Sequence, residues 1–176
     1  MSEIIGSCVN NTMLHLRDIV QPQNFEMAAK NLSKEEWNIL FNNKIPDDSY
    51  VDFATFLRFL MLMSHFTDAH HVTEAIRYEV RVRYHSVIQR IFSFISSYYW
   101  LDRLPDIWGD YFSSGYLSVH NEDEIKIVVS EFPMPEGHSE YLSLLFKEIL
   151  RKDDLYIRHP ICCKTGQDVC VWSFPF

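Results

Sequence analysis

A change of hydrophobic period at Gly115 divides this chain and limits the folds open to it. Before Gly115, apolar residues recur at helical spacing; after it, they alternate. In the first part Ile5, Val9, Met13 and Leu16 form one stripe, which Pro22 stops. Ser33-Lys34-Glu35-Glu36 has the spacing of a capping box ahead of Trp37, Leu40 and Phe41. Pro46 to Ser49 reads as a turn, and from Tyr50 onward Phe53, Phe56, Leu57, Leu60, Met61 and Met63 make a broad stripe suited to a core. Residues 71–98 contain no Gly or Pro and predict the longest helix, with Ala75, Ile76, Val80 and Tyr84 on its apolar face and Val87, Ile91, Phe94, Ile95 and Tyr98 continuing it. Trp100 to Ser113 continues as a helix interrupted by Pro105.

Beyond Gly115, Tyr116–Val119 and Glu124–Val129 read as strands joined by His120 to Asp123. A helix follows Gly137 with Tyr141, Leu144, Leu145, Ile149 and Leu150 on one face. Leu155–Ile157 and Val169–Phe174 supply the last strands. The predicted class is α+β: one domain over 1–176, a helical half (1–115) followed by a β-β-α-β-β, mostly antiparallel, sheet half (116–176). At 176 residues it is long enough to bury a full core without disulfide staples.

Charge and motif content narrow the function. The net charge of −8 argues against nucleic acid as a partner, since phosphate binding needs an electropositive footprint. The one basic cluster, Arg77, Arg81, Arg83 and Arg90, is interleaved with Glu74 and Glu79 and reads as a solvated helix face. The longest apolar stretch, Phe53 to Phe66, contains Arg58 and His65, so a buried helix and no membrane span is expected. Four clustered cysteines and no signal-peptide pattern point to a reducing cytoplasm. No phosphate loop, nucleophile elbow or His-Glu-x-x-His helix is present, so the expectation is a protein that is not an enzyme.

Two clusters are candidate sites. Tyr98, Tyr99, Trp100, Trp108, Tyr111 and Phe112 crowd fifteen residues ahead of the sheet, where they either fill the core or line a ligand pocket or partner groove. At the C-terminus, His159 lies three residues before Cys162, and Cys162 and Cys170 flank a Lys-Thr-Gly-Gln-Asp turn. A hairpin there brings thiols together, as metal ligands or as the ordinary packing of a reduced sheet edge. Cys163, next to Cys162, should point to the opposite sheet face and be the poorer ligand.

The order of elements, the Ile4-Ile5-Gly6-x-x-Val9 opening and the Cys-x7-Cys hairpin resemble a ligand-binding superfamily. It unites haem-nitric-oxide domains, vinyl-reductase-like sensor domains and trafficking-complex subunits, and the layout is similar to a paralogous family of myxobacterial proteins. The haem branch carries a Tyr-x-Ser-x-Arg signature for the propionates. It falls on Val128, Ser130 and Phe132, so only the serine is kept, and no histidine occupies Tyr98 to Asp102; haem is therefore expected to be unlikely. The vinyl-reductase-like branch implies a structural zinc held by His138, His159, Cys162 and Cys170, with the two histidines substituting for other ligand types. The resemblance thus implies a non-catalytic cytoplasmic sensor or adaptor that binds a small apolar ligand, or a protein partner or second copy as a homodimer, between helices and sheet. The alternatives are a haem-based gas sensor and a structural scaffold subunit of a larger assembly.

Overall fold

The computed structural model describes residues 2–42, 44–85, 97–121, 123–152 and 154–175; of residues 85, 97 and 98 only the backbone is described. The expected positions Val87, Arg90, Ile91, Phe94 and Ile95, and the side chain of Tyr98, lie outside the described set. The α+β expectation holds, with a helical part first and a four-stranded antiparallel sheet last.

The N-terminus opens with a short strand that the helical pattern conceals. β1 (Glu3–Ile5) pairs antiparallel with β2 (Tyr50–Asp52), placing Ile4 opposite Val51. α1 (Gly6–Ile19) follows at once, burying Cys8, Val9, Met13 and Leu16. Its first residue has to be glycine: a Cβ on Gly6 would stand 2.2 Å from the Pro46 carbonyl oxygen. Pro22 ends one helix and starts another, sitting at the first position of α2 (Pro22–Lys30), where its missing N–H costs nothing. The capping box at Ser33 forms as read. Ser33 Oγ accepts from Glu36 N at 3.2 Å and Glu36 Oε2 accepts from Ser33 N at 2.7 Å, opening the short α3 (Lys34–Trp37). Asp52 caps α4 (Phe53–Phe66), whose buried side chains include Phe53, Phe56, Phe59 and Met63. Among the described residues no helix is long and apolar enough to cross a membrane.

α5 (Ala69–Val80) runs on into a π-helical turn at Arg81–His85. α6 (Ser97–Tyr111) continues through Pro105; burial of Trp100, Leu101, Leu104, Ile107 and Trp108 outweighs the hydrogen bond that the proline removes. Gly115, at φ +79°, then turns the chain into the sheet. Strands β3 (Tyr116–Asn121), β4 (Ile125–Ser130), β5 (Arg158–Ile161) and β6 (Val169–Phe174) lie in the order β3-β4-β6-β5, all antiparallel. α7 (His138–Leu150) connects β4 to β5. The fifth strand sits three residues later than expected. Pro160 cannot donate to a ladder and is tolerated because β5 is an edge, while Leu155 is buried ahead of it outside any strand.

The basic cluster on α5 is a second correction, since it is not simply a solvated face. Glu79 is 1% exposed. Its carboxylate accepts from Tyr111 Oη at 2.5 Å and from Arg83 Nε at 2.8 Å. Arg83 also donates to Ser7 Oγ at 2.5 Å, and its guanidinium lies 5.0 Å from the Tyr111 ring centroid. Beside this knot Cys8 Sγ meets Tyr141 Oη at 3.4 Å. Arg77 pairs with buried Glu148 of α7 at 2.6 Å. The helix repeat that alternates charge along α5 therefore turns some of those charges inward, where each has found a partner.

Removing the carboxylate strands a buried guanidinium, so Glu79→Ala is expected to cost about 3–5 kcal/mol. Tyr111→Phe, which deletes one hydrogen bond to a charged group, is expected to cost about 1.5–3 kcal/mol. Urea denaturation at neutral pH measures both, and equal small losses would mean a hydrated carboxylate. Burial, then the Glu79 charge, holds the Tyr111 phenol well above its usual pKa. The unfolded chain thus loses that proton first. The contribution is intact below about pH 10 and lost as pH rises beyond it, a fall that Tyr111→Phe should reduce.

Candidate metal centre

A helix, two strands and the residue that follows one of them bring four side chains of metal-ligating type together in the sheet half. His138 opens α7, His159 comes from edge strand β5, Cys162 precedes a 3-10 turn (Cys163–Thr165), and Cys170 lies on β6. One ligand atom from each lies within 4.8 Å of all the others. Cys162 Sγ stands 3.8 Å from Cys170 Sγ and 3.6 Å from His138 Nε2. A tetrahedral ion with bonds of about 2.3 Å to sulfur and about 2.0 Å to nitrogen sets adjacent ligand atoms roughly 3.3–3.8 Å apart. The 3.6 and 3.8 Å separations about Cys162 already have that spacing.

The surroundings orient the rings. His138 Nδ1 donates to the Pro135 carbonyl at 2.7 Å, which leaves the lone pair on Nε2, facing Cys162. His159 Nδ1 is hydrogen-bonded to Ser139 Oγ at 2.8 Å, and its Nε2 is buried without a hydrogen-bond partner. Tying one ring nitrogen to the protein and leaving the other bare is how ligating histidines are held. The His159 ring stacks on the buried Trp172 indole at 4.3 Å and meets the His138 ring edge-on at 5.5 Å. Burial lowers the pKa of both histidines, and for His159 the neighbouring His138 adds to the shift. Both are thereby kept neutral, the form that binds metal. Burial also pushes the Cys170 thiol up to about 12, against the opposing effect of the Cys163 N–H that donates to its sulfur at 3.1 Å.

Cys163 departs from expectation. The chain leaves the strand at Cys162 and coils into the 3-10 turn, so strict alternation no longer applies. Cys163 Sγ comes 3.3 Å from Cys170 Sγ instead of pointing to the other face. Ser139, Pro135 and Trp172 were not legible as supports, because each touches the cluster only through the placement of α7 against the sheet.

The aromatic cluster meets a different fate. Trp100, Trp108, Tyr111 and Phe112 are buried, while Tyr99 is 42% exposed. The seam in which α6 and α7 meet the sheet, lined by Trp108, Tyr111, Phe112 and Phe146, encloses only about 10 Å³, room for one water at most. A larger space lies elsewhere. A groove of about 610 Å³ runs between α4, α5 and α7, walled by Leu57, Leu60, Val72, Ile76 and Leu144.

No protein-family profile and no curated relative matches the chain. Solved structures do. A Fe(II) unliganded H-NOX protein from K. algicida is 9% identical, covers 97% of this chain and 95% of its own, and superposes with a TM-score of 0.61. An oxygen-binding H-NOX domain related to soluble guanylate cyclases, in its oxygen complex, is 15% identical, with 97% and 94% coverage and a TM-score of 0.56. A structure from work on haem distortion in the H-NOX family is 15% identical, with 97% and 94% coverage and a TM-score of 0.60. The chain has the H-NOX fold. All three belong to the haem branch of the superfamily that the sequence resembles; the vinyl-reductase-like and myxobacterial likenesses gain nothing from them.

The expectation that haem is unlikely is thereby corrected. Over almost its whole length the chain takes the fold of haem-binding domains, so the loss of Tyr and Arg from the signature segment does not exclude the cofactor. Zinc, the other cofactor expected from the sequence, draws no support from these neighbours.

Reagent accessibility tests the geometry of the cluster. Cys8 and Cys170 are buried and Cys162 and Cys163 half-buried; burial also raises the Cys8 thiol. Iodoacetamide at pH 7.5 on the reduced protein is therefore expected to label Cys162 and Cys163 first, with Cys170 and Cys8 lagging. Peptide mass spectrometry reads the order, and early labelling of Cys170 would contradict the packing described.

Proposed function

We propose that this chain is a small-ligand sensor domain with haem as the cofactor its fold implies, acting through a protein partner or a second copy of itself. The supporting observation is the H-NOX fold over nearly the full chain. Haem would supply an iron centre for a diatomic gas. The residues set conditions on it. Ser130, at the end of β4, is the signature residue available to a propionate, and α6 carries no histidine. Among the described residues, His71 on α5 and His159 on β5 each have a buried ring nitrogen without a hydrogen-bond partner, and either would be a nitrogen donor for the iron. The closed seam at Trp108 and Phe112 would have to open to admit a porphyrin. Expression with added 5-aminolevulinic acid and iron is expected to give a Soret band of about one haem per chain. Protein that is colourless and fails to bind added hemin overturns the haem reading.

A second reading rests on the cluster of His138, His159, Cys162 and Cys170. We propose that they hold one divalent transition-metal ion of borderline softness, which fastens the β5–β6 hairpin to the start of α7. The N2S2 donor set and the bare, buried His159 Nε2 support it. Titrating reduced, chelator-treated protein with Co(II) is expected to give tetrahedral d–d bands and thiolate charge-transfer absorption at one equivalent. Metal held at 100 times its dissociation constant should add about 2.7 kcal/mol of stability. Cys170→Ser should abolish the bands and Cys163→Ser should retain them. Octahedral, thiolate-free spectra would return the cluster to ordinary packing.

A further inference from the structure

The groove between α4, α5 and α7 combines an apolar floor with a one-sided charge. Its walls are Leu57, Leu60, Met61, Val72, Ile76 and Leu144, and its polar rim includes Glu136 and Glu140 at the start of α7. Among the described residues, its lining contains no Lys, Arg or His, and neither glutamate has an ion-pair partner. The same sign continues next door. A smaller hollow of about 260 Å³ shares Met61 and Glu136 and adds Glu36 and Asp52; its cation, Arg58, is held by Glu36 at 3.0 Å. Gly137, in the left-handed conformation at φ +79°, separates the helix from Glu136, and a Cβ there would stand 3.2 Å from Met61 Sδ.

We propose that this groove binds a small amphiphile with one cationic end, such as an alkyl amine or quaternary ammonium compound. The volume of about 610 Å³ falls in the range of small-molecule sites, roughly 300–1,000 Å³, and its surface is mainly apolar, which suits an alkyl body. The carboxylates at the rim select the head group. A carboxylate or sulfate head would meet two like charges there, whereas an ammonium meets two opposite ones at the groove's solvent-facing rim. The chain's net charge of −8 draws cations toward it at long range. Met61 is 47% exposed, and its unbranched thioether can re-pack around a flexible chain. Neither haem nor the metal cluster enters this argument.

The test is a methyl-methionine NMR titration of the full chain with dodecyltrimethylammonium, kept below its critical micelle concentration. A saturable shift of the Met61 methyl is expected, with affinity at least tenfold tighter than for dodecyl sulfate. Glu136→Gln with Glu140→Gln should remove most of that preference while leaving the Met61 signal in its folded position. Ala69→Phe, an exposed position on the groove wall, should block binding of both probes. Equal affinity for the two head groups, or simultaneous shifts of all the methionines, overturns the proposal. Binding of a lysine-rich amphipathic peptide at Met61 without binding of the amine also overturns it, and assigns the groove to a protein partner.

Discussion

A single buried carboxylate organises the helical part. Glu79 reaches from α5 to the Tyr111 hydroxyl at the end of α6 and to Arg83 one turn on, and Arg83 reaches Ser7 at the start of α1. Three helices are thus fixed by one charge that has no access to water. A buried ion pair adds little net stability over an apolar substitute, yet breaking one side of it is severe. Its effect is therefore on geometry more than on total stability: the arrangement that satisfies Glu79, Arg83, Tyr111 and Ser7 is strongly preferred over nearby slides of α5. The end of α6 so positioned meets the first strand, where Ile4 bridges to Phe112 and Ser113 N donates to Glu3 O at 3.3 Å.

The sheet half is tied by softer chemistry. β5 is a short edge strand broken by a register shift and a proline, and a ladder of that kind holds poorly alone. Its own His159 stacks on Trp172, and near it lie the thiols of Cys162, Cys163 and Cys170 and the His138 ring of α7. These groups are weak partners for one another as neutral thiols and imidazoles. They become strong ones if an ion is shared among them, so the order of the edge and the state of the cluster are coupled.

The sequence conveyed what depends on local period and missed what depends on docking. The switch at Gly115, the capping box at Ser33 and the strands β3, β4 and β6 were legible, because spacing and turn chemistry are local properties, whereas β5 was read three residues early and the set of His138, His159, Cys162 and Cys170 came from a family resemblance and not from local spacing. β1 and β2 were not legible: at three residues each they carry no period, and Ile4 and Ile5 blend into the stripe of α1. α2 was hidden because a proline that stops one helix is also a good first residue for the next. The inward turn of Glu79 was invisible for another reason. A glutamate four residues before an arginine looks like a solvated surface pair, and only the approach of Tyr111 makes it interior. Cys163 was misplaced because alternation was carried past the end of its strand at Ile161 and into the 3-10 turn.

These placements also separate the two ligand chemistries proposed for the fold. A haem carries two carboxylates and an iron that needs a nitrogen or sulfur donor, and the acid-rimmed groove at Glu136 and Glu140 repels the first and offers the second only a flexible thioether at Met61. Trp108, Phe112 and Phe132 pack against one another with ring centroids 4.3–5.1 Å apart, so a haem admitted between α6 and the sheet would first have to part them. Parting them would move α6, which carries the Tyr111 hydroxyl that donates to Glu79. A ligand at the seam is thus mechanically linked to α1 and α5 through the buried carboxylate, whereas a cationic amphiphile in the groove acts on α4, α5 and α7 directly and leaves the Tyr111–Glu79 bond closed.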